Sequence, residues 1–161
     1  MDVCIEETET IAEITLDDAS IIKRSAEVEH ERAVALADLM TKNLFQPLCV
    51  EPSGPYSVFL SVRDNVLRFE LTSEKLDASR EVVMPLTPFR RIIKDYFMIC
   101  ESYYDAIKKS SPHQIETIDM ARRGVHNEGS ELLLNVMQER IKLDFDTARR
   151  LFTLICVLHI K

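Results

Sequence analysis

Apolar positions alternate with polar ones over short stretches in the first half of the chain and recur at helical spacing in the second. Ile11–Leu16 reads as a strand. Ser25 is placed to cap a helix over residues 25–43, on which Val28, Ala35, Leu36 and Leu39 share one face. Glu27, Glu29 and Glu31 fall near the positive end of that helix and Lys42 near its negative end, the arrangement the helix dipole favours. Glu51-Pro52-Ser53-Gly54-Pro55 interrupts the pattern and marks a loop. Residues 56–62 and 67–71, rich in β-branched and aromatic side chains, flank Arg63-Asp64-Asn65-Val66 and read as a tight hairpin, with another strand over 82–86.

The second half is helical. Thr87 is predicted to cap a helix opened by Pro88, along which Phe89, Ile92, Ile93, Tyr96, Cys100, Tyr103 and Ile107 form a stripe. Ser111-Pro112-His113-Gln114 has the form of a capping box and starts a separate helix, which Gly124 is expected to end. Ser130 starts a short helix to Met137, residues 141–145 read as a last strand, and Asp146 is predicted to cap a final helix whose Ala148, Leu151, Phe152, Ile155 and Leu158 point one way. The expected fold is one α+β domain over residues 1–161. A small, mainly antiparallel sheet, drawn from a less sharply defined portion over 1–84, packs against a helical half over 88–161, with the Phe89 and Ala148 stripes meeting in the core.

Composition narrows the function classes. The chain has 161 residues, 46% hydrophobic and 29% charged, which suits one domain with a core of its own. Its three glycines leave no material for a phosphate-binding glycine loop. A net charge of −7 has the wrong sign for a protein that grips nucleic acid through its phosphates. The charge is unevenly placed: residues 1–84 hold 17 acids and 8 bases, residues 85–161 hold 10 acids and 12 bases, so an anion site belongs in the second half. Cys4, Cys49, Cys100 and Cys156 form no CxxC pair and are expected to be free thiols. The acidic start lacks the features of a signal peptide, and the most apolar run, residues 151–160, is half the length of a membrane span. The expectation is a cytoplasmic protein without membrane or nucleic-acid partner, and neither a cofactor motif nor a metal-ligand set is evident.

Three arginine pairs, Arg90-Arg91, Arg122-Arg123 and Arg149-Arg150, could each grip a carboxylate or phosphate. Structural pairing explains some of them: Glu116 and Asp119 are within helical reach of Arg122 and Arg123, Asp146 of Arg149 and Arg150, and Asp95 of Arg91. Arg90 and Lys94 repeat a charge one turn apart near a helix start and are the first candidates for an anion site, unless acids from the N-terminal half neutralise them. The segment Gly124-Val125-His126-Asn127-Glu128-Gly129, read as a loop, places a base, an amide and a carboxylate together, so that His126 and Glu128 are candidate acid/base partners and Asn127 a ligand contact. The structural alternative makes Gly124 a helix end, Asn127 a cap and His126 a donor to a backbone carbonyl. Glu27, His30 and Glu31 read as a charged helix face, and Cys100 as a buried inert thiol.

Four segments, VEHERAVALADLMTKNLF at 28–45, PFRRIIKDYFMICESYYDAI at 88–107, IETIDMARRGVHNEGSELL at 115–133 and DFDTARRLFTLICVLH at 144–159, resemble the bacterial uncharacterised protein family 0262 of the UPF series. The resemblance runs in order along nearly the whole chain and implies no catalytic role for any residue. Two functions follow from the residues. The first is a binding or regulatory module for a partner protein or an anionic ligand. The second is a small hydrolase or transferase acting on a phosphorylated or carboxylated metabolite, with Arg90, Arg122, Arg123, Arg149 or Arg150 as clamps and His126 with Glu128 as acid/base pair. Convergence of the arginines and His126 on one cavity favours the second; arginines tied to acids, with His126 against backbone, disfavour it.

Overall fold

A computed structural model of the chain describes residues 8–17 and 25–159. Cys4, residues 1–7 of the acidic start and the last residue of the 151–160 run lie outside them. The elements are β1 (Ile11–Leu16), α1 (Ala26–Thr41), β2 (Phe45–Pro47), β3 (Tyr56–Arg63), β4 (Val66–Thr72), β5 (Arg80–Pro85), α2 (Arg90–Lys109), α3 (Pro112–Met137), β6 (Ile141–Leu143) and α4 (Phe145–Leu158). The fold is α+β, with a helical C-terminal half.

The larger sheet has the order β1-β3-β4-β5. β3, β4 and β5 are antiparallel neighbours, while β1 lies parallel to β3. A parallel pair needs a crossover, and the segment that contains α1 supplies it. The β3–β4 hairpin turns through Asp64 and Asn65, both in the left-handed region at φ 54° and 61°, as a two-residue turn matched to strand twist requires. Alternation sends Tyr56, Val58 and Leu60 of β3, Leu67, Phe69 and Leu71 of β4, and Val82 and Met84 of β5 into the core. β2 and β6 form a separate antiparallel pair.

Above the sheet lie four helices among the described residues, and α4 is their centre. Every residue of α4 from Leu151 to Leu158 is buried, so it is a core helix rather than an amphipathic one. The stripes of α2 and α4 meet as expected: the Tyr96 and Phe152 rings stand edge to face, 6.0 Å apart. α1 joins this layer against α4, so the helical side also draws on the first half of the chain.

Local signals and the fold part company in three places. Thr87 does not cap α2. Thr87–Phe89 forms a 3-10 turn, the Thr87 hydroxyl accepts from the Asn65 side chain at 3.1 Å, and α2 starts at Arg90 without a side-chain cap. Gly124 does not end a helix, and Ser130 does not start one, because α3 runs unbroken from Pro112 to Met137. Neither glycine adopts the left-handed conformation of a helix terminus, and packing against α2 and α4 outweighs a helix-propensity cost of about 1 kcal/mol for each. Arg122 and Arg123 therefore sit in mid-helix, and residues 124–129 are no loop. Finally, Asp144, not Asp146, caps α4, accepting from Thr147 N at 2.8 Å, and the strand before it ends at Leu143. Thr147 is itself tied down, since its hydroxyl accepts from Leu44 N at 2.9 Å.

Candidate functional site

The continuous course of α3 organises the candidate residues by helical phase. Arg122 and His126, one turn apart, point inward with Gly129, Ser130, Leu133 and Met137 further along the same side. Asn127 and Glu128 lie on more exposed faces. Gly129 is what lets α4 come close: a Cβ there would clash with the Phe152 ring. Phe152 stands edge to face against His126, as Tyr96 of α2 does at 5.3 Å. The imidazole is thus set between aromatic rings from two other helices.

Arg122, His126, Arg149, Arg150 and Thr153 line one cavity of about 190 Å³, closed on its third side by Glu31, Val34, Ala35 and Asp38 of α1. The three arginines differ in how far they are satisfied. Arg122 is paired with two carboxylates: its guanidinium meets Glu31 at 3.1 Å and Asp119 at 3.0 Å and lies over the Tyr103 ring at 4.4 Å. Burial works against its charge, but Glu31 and Asp119 hold its pKa above the usual arginine value. Arg150 faces Asp38 at 3.5 Å. Arg149, half-buried, has an amide partner only, Asn127 Oδ1 at 3.0 Å, and no carboxylate among the described residues. Burial first, then Arg150 and Arg122, push its pKa below the usual value, and Asp146 offsets this only in part.

His126 is the second unsatisfied group. It is 5% exposed, and neither ring nitrogen has a hydrogen-bond partner. Its backbone carbonyl is satisfied by the Ser130 hydroxyl at 2.6 Å, but the ring makes no such bond. Burial, with Arg149, Arg122 and Arg150 nearby, pushes its pKa down to about 4, Asp119 opposing. The ring is therefore neutral at pH 7 and places one donor and one acceptor among three cations.

The remaining candidates are elsewhere. Glu128 is exposed and pairs with Arg91, which also holds Asp95 at 2.8 Å, so it does not meet His126. Arg123 pairs with Asp119 at 3.2 Å. Arg90 and Lys94 are exposed on α2, and no acid from the N-terminal half comes to them among the described residues. Glu31 and Asp38 were not evident as site residues from sequence. Glu31, read as part of a charged face, is buried. The available signal was its phase, since it falls between Val28 and Ala35 on the apolar face of α1. Its carboxylate also accepts from the Cys100 thiol at 3.6 Å, and burial, with Glu31 adding to it, pushes that thiol up to about 12, as suits an inert cysteine. Glu31 thereby stands in a second wall, that of a cavity of about 350 Å³ between α1 and α2 edged by Glu27, Tyr96, Glu101 and Tyr104. Among the described residues no three His, Cys, Asp or Glu side chains are grouped to hold a metal ion, and no helix is long and apolar enough to cross a membrane.

A mixed four-stranded sheet backed by helices, with an arginine-lined cavity between three of them, defines an α+β domain whose helical side carries the candidate site. The chain belongs to the uncharacterised protein family UPF0262, whose family model matches residues 8–161. It is 52% identical over 149 residues to a UPF0262 protein of Rhizobium meliloti, an alignment covering 92% of this chain and 93% of that one. It is 54% identical over 151 residues to a UPF0262 protein of Paramagnetospirillum magneticum, covering 94% and 96%. A relative from Azorhizobium caulinodans is 53% identical over 151 residues, covering 92% of each. No solved structure matches the chain.

Proposed function

We propose that this protein is a binding module for a small anionic ligand, held in the cavity between α1, α3 and α4. The observation that carries this is Arg149: a half-buried guanidinium beside two others, its pKa lowered by burial and then by them, with no carboxylate partner among the described residues. Four of its five N–H groups are free of the Asn127 bond, and an oxyanion is the group that would use them while relieving the repulsion among the arginines. A cavity of about 190 Å³ is small beside the roughly 300–1,000 Å³ of sites for drug-sized molecules. A phosphate, sulfate or compact carboxylate group suits it better than an extended peptide does. The hydrolase or transferase reading needs an acid/base pair at the cavity, and Glu128, its proposed second member, is engaged by Arg91 on an exposed surface. Free thiols at Cys49, Cys100 and Cys156 support a cytoplasmic setting.

Thermal unfolding with sulfate, phosphate and small dicarboxylates at fixed ionic strength tests the proposal. A ligand at a hundred times its Kd stabilises by about 2.7 kcal/mol, several degrees for a chain of this size. Arg149→Gln should abolish that gain, and Arg90→Gln with Lys94→Gln should keep it. The reverse pattern would move the anion to the start of α2. A wild-type protein that responds to none of these anions would end the proposal.

A further inference from the structure

We infer that the cavity takes up its anion together with a proton, which settles on the His126 ring, so that the ligand group it favours is a dianionic oxyanion. This rests on the anion-binding reading of the cavity and names both its ligand class and its regulation.

The first argument is hydrogen-bond chemistry. The imidazole is 5% exposed with both nitrogens unpartnered, an arrangement native proteins seldom leave unmet. An oxyanion only accepts hydrogen bonds, whereas a neutral imidazole has one donor and one lone pair. Protonation turns that lone pair into a second donor and makes the ring wholly complementary to an anion.

Charge balance is the second argument. Three guanidiniums, Arg122, Arg149 and Arg150, face two carboxylates, Glu31 and Asp38, an excess of one positive charge in the lining, and the excess stays at one when Asp119 is counted with both arginines it pairs, Arg122 and Arg123. A monoanion cancels that excess. A dianion leaves one negative charge uncompensated in a partly buried space, and an added proton on His126 removes it. The titratable and charged groups around the ring are Glu31 and Asp38 on α1, Tyr96 on α2 with Cys100 beside it, Arg122 and Asp119 on α3, and Arg149 and Arg150 on α4. Tyr96 and Cys100 are held protonated by burial, so neither supplies nor takes the proton near neutral pH. Without a ligand, burial and then the arginines keep the imidazole neutral; a dianion among them reverses the local field. The proton comes from solvent and ends on a ring nitrogen, and no covalent bond changes.

Sulfate is the suitable probe, because it carries no titrating proton between pH 5.5 and 8. Calorimetric titration in two buffers of different ionisation enthalpy measures protons exchanged per sulfate bound. Wild-type protein should take up about half a proton or more per sulfate at pH 6, and Kd should weaken as pH rises, up to tenfold per unit above the pKa of the bound state. His126→Gln should bind sulfate more weakly, without proton uptake and with a flat pH profile. A wild-type histidine resonance should titrate near 4 in the free protein and at or above 6 with sulfate, which tests the same point if the variant does not fold. Sulfate binding without proton uptake, or uptake that persists in His126→Gln, overturns this inference and leaves the anion site standing. Absence of sulfate binding overturns the anion site itself and this inference with it.

Discussion

Gly124 and Gly129 stand five residues apart in the same helix, yet only one has room for a side chain. A Cβ at Gly124 meets nothing within 4 Å, whereas one at Gly129 would enter the Phe152 ring. Gly124→Ala should therefore stabilise the protein by about 0.5–1 kcal/mol, through helix propensity alone. Gly129→Ala should destabilise it by about 1–3 kcal/mol, because a buried aromatic ring must shift. Denaturant unfolding of the two variants checks both signs. The two residues are equivalent in sequence, and both were read as loop glycines. What separates them is a ring from another helix, which local pattern does not report. The same holds for His126: its neighbours in sequence suggested Glu128 as partner, but helical phase puts the two on different faces, and the groups around the imidazole come from α1, α2 and α4.

At the scale of the element, the apolar stripes and two of the caps were legible, because they rest on side chains within one turn of the backbone they serve. The capping box at Ser111 and Gln114 forms as predicted, and Ser25 accepts from Val28 N at 3.2 Å. The α4 cap is displaced by two residues, and the displacement is measurable. Asp144→Ala should cost about 1 kcal/mol, the ordinary loss of an N-cap. Asp146→Ala should cost only a few tenths of a kcal/mol, through the helix dipole. Equal losses in thermal unfolding would contradict the assignment. Local pattern points to Asp146; Asp144 takes the role where the Leu44 amide fixes the Thr147 side chain, a contact between residues far apart in the chain.

For the molecule as a whole, the buried imidazole ties stability to pH. Its pKa is about 4 folded and about 6.5 unfolded, so below pH 6.5 the unfolded chain binds the extra proton and the folded state does not. Its contribution is whole above pH 6.5, falls as pH drops, and levels off below about pH 4. Between pH 7 and 5 the loss comes to about 2 kcal/mol. Carboxylates titrate in the same window, so the informative quantity is the difference between wild type and His126→Gln in unfolding free energy. That difference should shrink by about this amount from pH 7 to 5, and a difference constant with pH would show that the ring titrates normally in the folded state.

Sequence alone determined the strands of the larger sheet, the helix starts at Ser25 and Ser111, the Asp64-Asn65 turn and the α+β class, since each follows from side-chain period and from hydrogen bonds that span a few residues. It also placed the cationic side chains in the second half, a matter of composition. Tertiary structure alone decided that α3 is continuous, that Glu31 is buried, and that Arg122, Arg149 and Arg150 share a cavity while Arg90, Arg91 and Arg123 do not. The physical reason is common to all three. Burial and charge pairing are set by which helix faces meet, and the close packing of α1, α3 and α4, made possible by a missing Cβ at Gly129, is a property of the assembled core rather than of any segment in it.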